Sequence, residues 1–138
     1  MNGTAQPFAW PVRVYYEDTD VGGVVYYANY LKFMERARTE WLRALGFDMS
    51  AMALEHRCHF VVQRVEIDYL RPARLDDQLV ATVALVRAGH ARLELEQQVL
   101  RDGLRLAGGR VILACITTGT WLPTPMPATL KNTLELLP

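Results

Sequence analysis

Between residues 14 and 46 the chain reads VYYEDTDVGGVVYYANYLKFMERARTEWLRALG, and the spacing of its apolar residues changes within that span. Val12 to Tyr16 is rich in β-formers and reads as a short strand. From about Tyr27 to Leu45, the positions Tyr30, Met34, Ala37, Trp41 and Leu45 recur at steps of three and four, as on a helix with one buried face. Lys32, Arg36, Thr39 and Arg43 take the wet face, and Gly46 stands where a C-terminal cap belongs. Such a helix is roughly 27–29 Å long. What covers it must be a sheet of several strands.

The rest of the chain supplies them. Ser50 to Glu55 can add a short second helix. After Cys58 the period drops to two: Val61, Val65, Ile67 and Tyr69 alternate with Arg64, Glu66 and Asp68 until Arg71-Pro72 ends the strand. Gln78 to Arg87 is apolar on nearly every position, which predicts burial of both faces. Leu93, Leu95, Gln97 and Val99 alternate with Glu94, Glu96 and Gln98, and Asp102-Gly103 marks a hairpin turn into a last strand from Leu104 to Thr118. One long helix and about five antiparallel strands predict a single α+β domain over 1–138, with its core at about 10–121 and a polar, proline-broken tail over 122–138. A helix that covers only one sheet face leaves edge strands and a second face in need of a partner, which predicts a homo-oligomer.

Composition excludes several classes. Fifteen basic residues balance fifteen acidic ones and no basic block stands out, so the electrostatic footprint of a nucleic-acid binder is missing. The start, MNGTAQPFAWPVR, has neither a basic n-region nor an apolar run, which predicts a cytoplasmic protein without a secretory signal. Cys58 and Cys115 stand in no metal-ligand spacing and read as free thiols. Residues Val111 to Leu130 carry no charge, yet three prolines, a glycine and five threonines argue against a membrane helix.

Chemistry concentrates ahead of the long helix. Asp20 lies a few residues before a helix N-terminus, where free backbone N–H groups and a partial positive charge of roughly half an electron collect. A carboxylate beside carbonyl-polarising donors is a minimal kit for acyl transfer. The plainer reading is turn chemistry, since Asp18 and Asp20 can bond neighbouring N–H groups. A calcium loop starting at Asp18 would need a glutamate at its twelfth position, and Asn29 sits there, so no metal or other cofactor is expected. Gly22 and Gly23 suit either a tight turn or close approach of a substrate to the main chain. His56, His59 and His90 show no ligand or triad spacing.

The stretches VRVYYEDTD-GGVVYYANY, ERARTEWLR and FVVQRVEIDYLRPARLDD together resemble the 4-hydroxybenzoyl-CoA-type thioesterases of the hotdog superfamily. Within them the likeness is nearest to the bacterial acyl-CoA thioesterases associated with the Tol-Pal system, and it covers Trp10 to about Trp121. The resemblance implies a hotdog fold, in which a curved sheet wraps a central helix, and domains that pair into dimers and commonly tetramers. It implies that Asp20 is the catalytic carboxylate and Asp18 a structural one. The N–H groups of Tyr27 and Ala28 would hold the thioester oxygen, with Gly22 and Gly23 admitting the substrate. Tyr30 and Met34 lie where an acyl pocket can be lined, and Arg87, His90 and Arg92 flank a hairpin near the CoA phosphates, although solvated turn charge explains them as well. Tyr27 departs from the nearest relatives, which usually carry His there. The departure leaves the backbone N–H, rather than a side chain, as the expected contribution of that position.

The expected reaction is hydrolysis of an acyl-CoA to free acid and CoA, with acyl-carrier-protein thioesters left open as substrates. A hotdog hydratase or dehydratase on acyl thioesters is the second class, but it needs a His near the carboxylate. A non-catalytic acyl- or protein-binding module linked to the Tol-Pal system is the third. Asp20→Asn keeps the shape but can neither attack nor accept a proton, so kcat should fall at least about 10²-fold with the fold intact, whereas Asp18→Asn should be milder. Steady-state kinetics on the two purified variants, with circular dichroism as the folding control, measures both.

Overall fold

A computed structural model of the chain describes residues 6–138. Strand β1 (Phe8–Arg13) leads through a single 3-10 turn (Tyr16–Asp18) and a loop into helix α1 (Asn29–Ala44) and the shorter α2 (Met49–His56). Four long strands follow, β2 (Cys58–Tyr69), β3 (Gln78–Ala88), β4 (Arg92–Arg101) and β5 (Leu104–Thr117), and then helix α3 (Ala128–Glu135). All five strands join one antiparallel sheet in the order β1-β3-β4-β5-β2, which leaves β1 and β2 as its edges.

Helix α1 lies against β1, β3 and β4. Tyr30, Phe33, Met34, Ala37, Trp41 and Leu42 form its buried face. They meet alternate residues of the sheet, among them Leu79, Ala81 and Val83 of β3 and Leu93, Leu95 and Val99 of β4. The expected helix is present, with its first turn at Asn29 rather than Tyr27, so its 16 residues span about 24 Å. The turn between β4 and β5 has left-handed Asp102 and Gly103, as an Asp-Gly hairpin demands.

Two sequence expectations are revised. The first strand begins at Phe8 and ends at Arg13, because Tyr15 and Tyr16 turn into the 3-10 segment instead of pairing. The stretch beyond Trp121 is more than a polar tail: Leu130 and Leu134 of α3 are fully buried, and Met126 is nearly so. Prolines at 123, 125 and 127 break the chain only as far as Ala128, and Pro127 then sits ahead of a helix start, where its missing N–H costs nothing. The two faces of β3 differ in the single chain. Leu79, Ala81 and Val83 turn to the core, whereas Val80 and Ala84 are only partly covered and Val86 is exposed.

Two polar side chains lie inside this core. Arg38, on α1, donates to Gln97 Oε1 at 3.0 Å, and Gln97 Nε2 donates to the carbonyls of Met34 and Thr82. Burial pulls the Arg38 guanidinium below its ordinary pKa, with Glu35 opposing. The two cysteines are both buried, and desolvation pushes the Cys115 thiol up to about 12, so it stays neutral and unreactive. Among the described residues no helix is long and apolar enough to cross a membrane.

Strands β2 and β5 come together unusually closely at Gly109. A methyl group there would lie 1.8 Å from the Glu66 carbonyl oxygen and 2.9 Å from the Ile67 Cα, both rigid backbone atoms. Gly109→Ala must therefore pry the two strands apart, and it should lower stability by at least about 2 kcal/mol. The urea midpoint of the purified variant reads that loss.

Candidate active site

The segment from Tyr15 to Asn29 is folded on Asp18. This residue is 6% exposed, and its carboxylate accepts the Tyr15 N–H at 2.8 Å. Its carbonyl accepts the Tyr26 N–H at 3.0 Å and the Asn29 side-chain amide at 2.8 Å. One residue thereby ties the end of the 3-10 turn to the start of α1. Between them the chain makes a small hairpin: Thr19 bridges Val25, the Asp20 N–H reaches the Val24 carbonyl at 3.0 Å, and Gly23 closes the turn with φ +78°. Val25 then donates to the Ala73 carbonyl, which fastens the hairpin to the β2–β3 connection.

Asp20 projects from this hairpin. It is exposed, and its Oδ1 accepts the Gly22 N–H at 2.9 Å. The turn chemistry anticipated for Asp20 is therefore real, but it occupies one oxygen only. Among the described residues nothing bonds Oδ2. Asp20 lies in a recess of about 420 Å³ with Tyr16, Thr19, Val21, Gly23 and Leu75. A side chain on Gly22 would stand 3.3 Å from Asp20 Oδ1, so a glycine there gives the carboxylate room.

The helix start supplies the donors. The N-cap position is Ala28, which has no side chain able to cap. Asn29, Tyr30 and Leu31 send their N–H groups back to the carbonyls of Tyr26, Tyr27 and Ala28. Among the described residues the N–H groups of Tyr27 and Ala28 have no acceptor. Those are the two groups expected to hold a carbonyl oxygen.

Tyrosines surround this terminus, and most of their contribution was not legible from the sequence. The rings of Tyr26 and Tyr27 lie 4.9 Å apart, Tyr27 meets Tyr69 edge-on at 6.0 Å, and Tyr30 meets Tyr69 at 5.4 Å. Burial raises the pKa of Tyr69 and of Tyr30, while the hydrogen bond to Tyr27 raises that of Tyr26. All three phenols therefore stay protonated at neutral pH. Tyr69 and Leu75 come from β2 and the loop after it, so only folding brings them here. The lone signal for them was their place in the stretch that carries the family resemblance.

Tyr30 and Met34 are closed off from solvent in the single chain, at 3% and 1% exposure. The Tyr30 hydroxyl accepts the Ala73 N–H at 3.0 Å, which pins the helix start to the β2–β3 connection, and Met34 belongs to the core. Arg87 and Arg92 do converge: with Gly89, Glu94 and Ile112 they line a recess of about 120 Å³ at the β3–β4 hairpin. His90 is exposed in the same turn. This hairpin is not beside Asp20, however. Arg13 pairs with Gln78, so the Asp20 loop follows the strand end at Gln78, and Arg87 is nine positions further along β3, roughly 30 Å away. His59 lies elsewhere again, bonded to Thr118 and meeting Trp121 edge-on.

This architecture has many counterparts. Residues 14–134 match the family model described as the thioesterase-like superfamily. The acyl-CoA thioesterase YbgC of Haemophilus influenzae is 44% identical over 124 residues, which are 90% of this chain and 91% of that protein. The acyl-CoA thioester hydrolase YbgC of Escherichia coli O6:H1 is 41% identical over 121 residues, 87% of this chain and 90% of its own length. Among solved structures, a probable thioesterase from Bartonella henselae superposes with a TM-score of 0.84 at 37% identity, covering 88% of this chain and all of that one. With a central helix held by a five-stranded antiparallel sheet and relatives alike over nearly their whole length, the chain belongs to the thioesterase-like superfamily of hotdog proteins.

Proposed function

We propose that this protein is an acyl-CoA thioesterase that hydrolyses an acyl-CoA to the free acid and CoA, with Asp20 as its catalytic carboxylate. The observation that carries the reading is an exposed carboxylate, with one oxygen unengaged, in the loop that feeds directly into two unpaired N–H groups at Tyr27 and Ala28. It is strengthened by relatives, alike over about nine-tenths of their length, that are named acyl-CoA thioesterase and acyl-CoA thioester hydrolase. A thioester carbonyl has weak resonance stabilisation, so polarising its oxygen matters more than protonating the leaving thiol. The two N–H groups take the oxygen and strengthen their bonds as negative charge develops on it. Asp20 then acts in one of two ways. Its Oδ2 attacks the carbonyl carbon, the C–S bond breaks to release CoA thiolate, and water hydrolyses the mixed anhydride. Alternatively it takes a proton from a water that attacks, and the same C–S bond breaks. Gly22 and Gly23 keep side chains out of the approach, while Tyr30 and Met34 back the acyl pocket from the core.

Arg87, His90 and Arg92 are assigned to the CoA phosphates, and the distance along β3 bears on whose phosphates these are. A hairpin roughly 30 Å from the Asp20 loop serves the active site of another copy better than its own. The working unit is therefore a homo-oligomer, dimeric at least and tetrameric in the fuller reading, which also gives the β1 and β2 edges a partner. The free, buried thiols of Cys58 and Cys115 fit a cytoplasmic location. Acyl-carrier-protein thioesters share the reacting atoms and belong to the same substrate class, and the Tol-Pal association goes with the resemblance.

Release of free thiol from acyl-CoA, followed with a thiol reagent, tests the activity. Tyr27→Phe should keep most of it, since the phenol takes no part. Tyr27→Pro removes the N–H and should cost about 10²–10³ in kcat. Equal damage from both variants would give the role to the hydroxyl and sink the backbone assignment.

Assembly has its own test. Val83 faces the core, so a charge there only damages packing. Ala84 is on the outer face, and Ala84→Glu should split the oligomer and lower activity with it. Light scattering that finds the parent protein a fully active monomer at micromolar concentration would refute the shared site.

A further inference from the structure

We propose that helix α3 belongs to the CoA-binding apparatus, with Lys131 as the positioning residue that holds the β3–β4 hairpin in its phosphate-binding form. This rests on the assignment of Arg87 and Arg92 to the CoA phosphates and goes beyond it, because no part of that assignment involves the C-terminal segment.

The hairpin turn has four backbone carbonyls, and all of them are engaged. Lys131 Nζ donates to the Ala88 oxygen at 2.7 Å and to the Gly89 oxygen at 3.0 Å. The Met126 N–H donates to the His90 oxygen at 3.1 Å, and the Cys115 N–H to the Ala91 oxygen at 2.7 Å. Three of the four are thus taken by residues 126–131. Among the described residues the N–H groups of His90 and Ala91 have no acceptor.

The consequence is electrostatic. Carbonyl oxygens carry partial negative charge and would repel a phosphate brought to this turn. Lys131 covers two of them with a full positive charge, and Met126 covers a third. What remains available is two N–H groups and two guanidinium groups, all of them suited to an anion. Glu94 reaches the same recess, but Arg110 binds its carboxylate at 3.0 Å and offsets that charge. The competing partner of Lys131, Glu135, is 3.7 Å away and largely exposed, so the carbonyls hold the ammonium. Helix α3 is seated independently by Leu130 and Leu134, at 0% and 2% exposure, so loss of the ammonium leaves the helix docked.

Two thioesters of one acyl group separate this role from a structural one. Acyl-CoA carries the phosphates, and the N-acetylcysteamine thioester lacks them but keeps the reacting atoms. Lys131→Met should raise KM for the acyl-CoA about ten-fold, the size of one charge-assisted hydrogen bond, with kcat and the truncated thioester's KM unchanged. Lys131→Arg, which keeps charge and donors, should restore the parent KM. Because Lys131 acts through the hairpin, the Met substitution should add nothing in an Arg87→Gln/Arg92→Gln background. An equal KM change for both thioesters, no change for either, or a further ten-fold loss in the Arg-free background each overturns the positioning role. If the Arg87→Gln/Arg92→Gln substitutions change KM for the two thioesters by the same factor, or change neither, the phosphate assignment has failed, and that result is distinct from a failure of Lys131 alone.

Discussion

The arrangement of the site depends on the burial of one carboxylate. Asp18 is 6% exposed, and through its side chain and its carbonyl it gathers the N–H of Tyr15, the N–H of Tyr26 and the amide of Asn29. Each is a group that would otherwise be left unpaired close to the core, where a missing partner costs about 1–3 kcal/mol. With Asp18 in place, the hairpin that carries Asp20 and the first turn of α1 cannot move independently. Two aspartates two positions apart thus have opposite fates: one is spent on holding the loop, and the other is left in solvent with an oxygen to spare.

Under this loop, the sheet fixes the helix along its length. Tyr30 pins the first turn to Ala73, and Arg38 reaches Gln97, which in turn binds the Met34 carbonyl. Buried polar groups of this kind are tolerable only when bonded, and they specify one register of helix on sheet where apolar contact alone would allow several. That register places the uncapped Ala28 terminus beside the Asp20 hairpin. The geometry of the proposed site and the packing of the core are therefore not separable here. Substitutions deep under α1 will be felt at the N–H groups of Tyr27 and Ala28.

At the far end of β3, the chain builds a second polar site from different materials. The Asp20 region uses loop N–H groups and a carboxylate; the β3–β4 hairpin uses guanidinium groups on a turn whose carbonyls are taken up by the C-terminal segment. One strand of 11 residues separates them. On the proposed assignment of these two regions, different copies hold the two ends of a long thioester, which would tie activity to assembly.

Much of this was legible in the sequence because it is local. The three-and-four spacing of Tyr30, Met34, Ala37 and Trp41 determines a helix with one buried face, the alternation in 61–69 and 93–99 determines strands, and Asp102-Gly103 determines a turn, since each depends on neighbours within a few residues. The order of carboxylate, glycines and helix start is local too, and so is the family resemblance it carries. Other features depend on residues far apart in the chain, and only the tertiary structure could decide them. Arg38 reads as one more charged residue until Gln97, 59 positions away, turns out to receive it inside the core. Tyr69 and Leu75 join the site because β2 ends beside the helix start. The segment after Pro127 looked like a tail because three prolines lead into it, although Leu130 and Leu134 stand one helical turn apart. They become core residues only when the sheet provides the surface that buries them. Local patterns specify which elements form, whereas burial and hydrogen bonding between distant segments decide which side chains are held in place and which are left free to react.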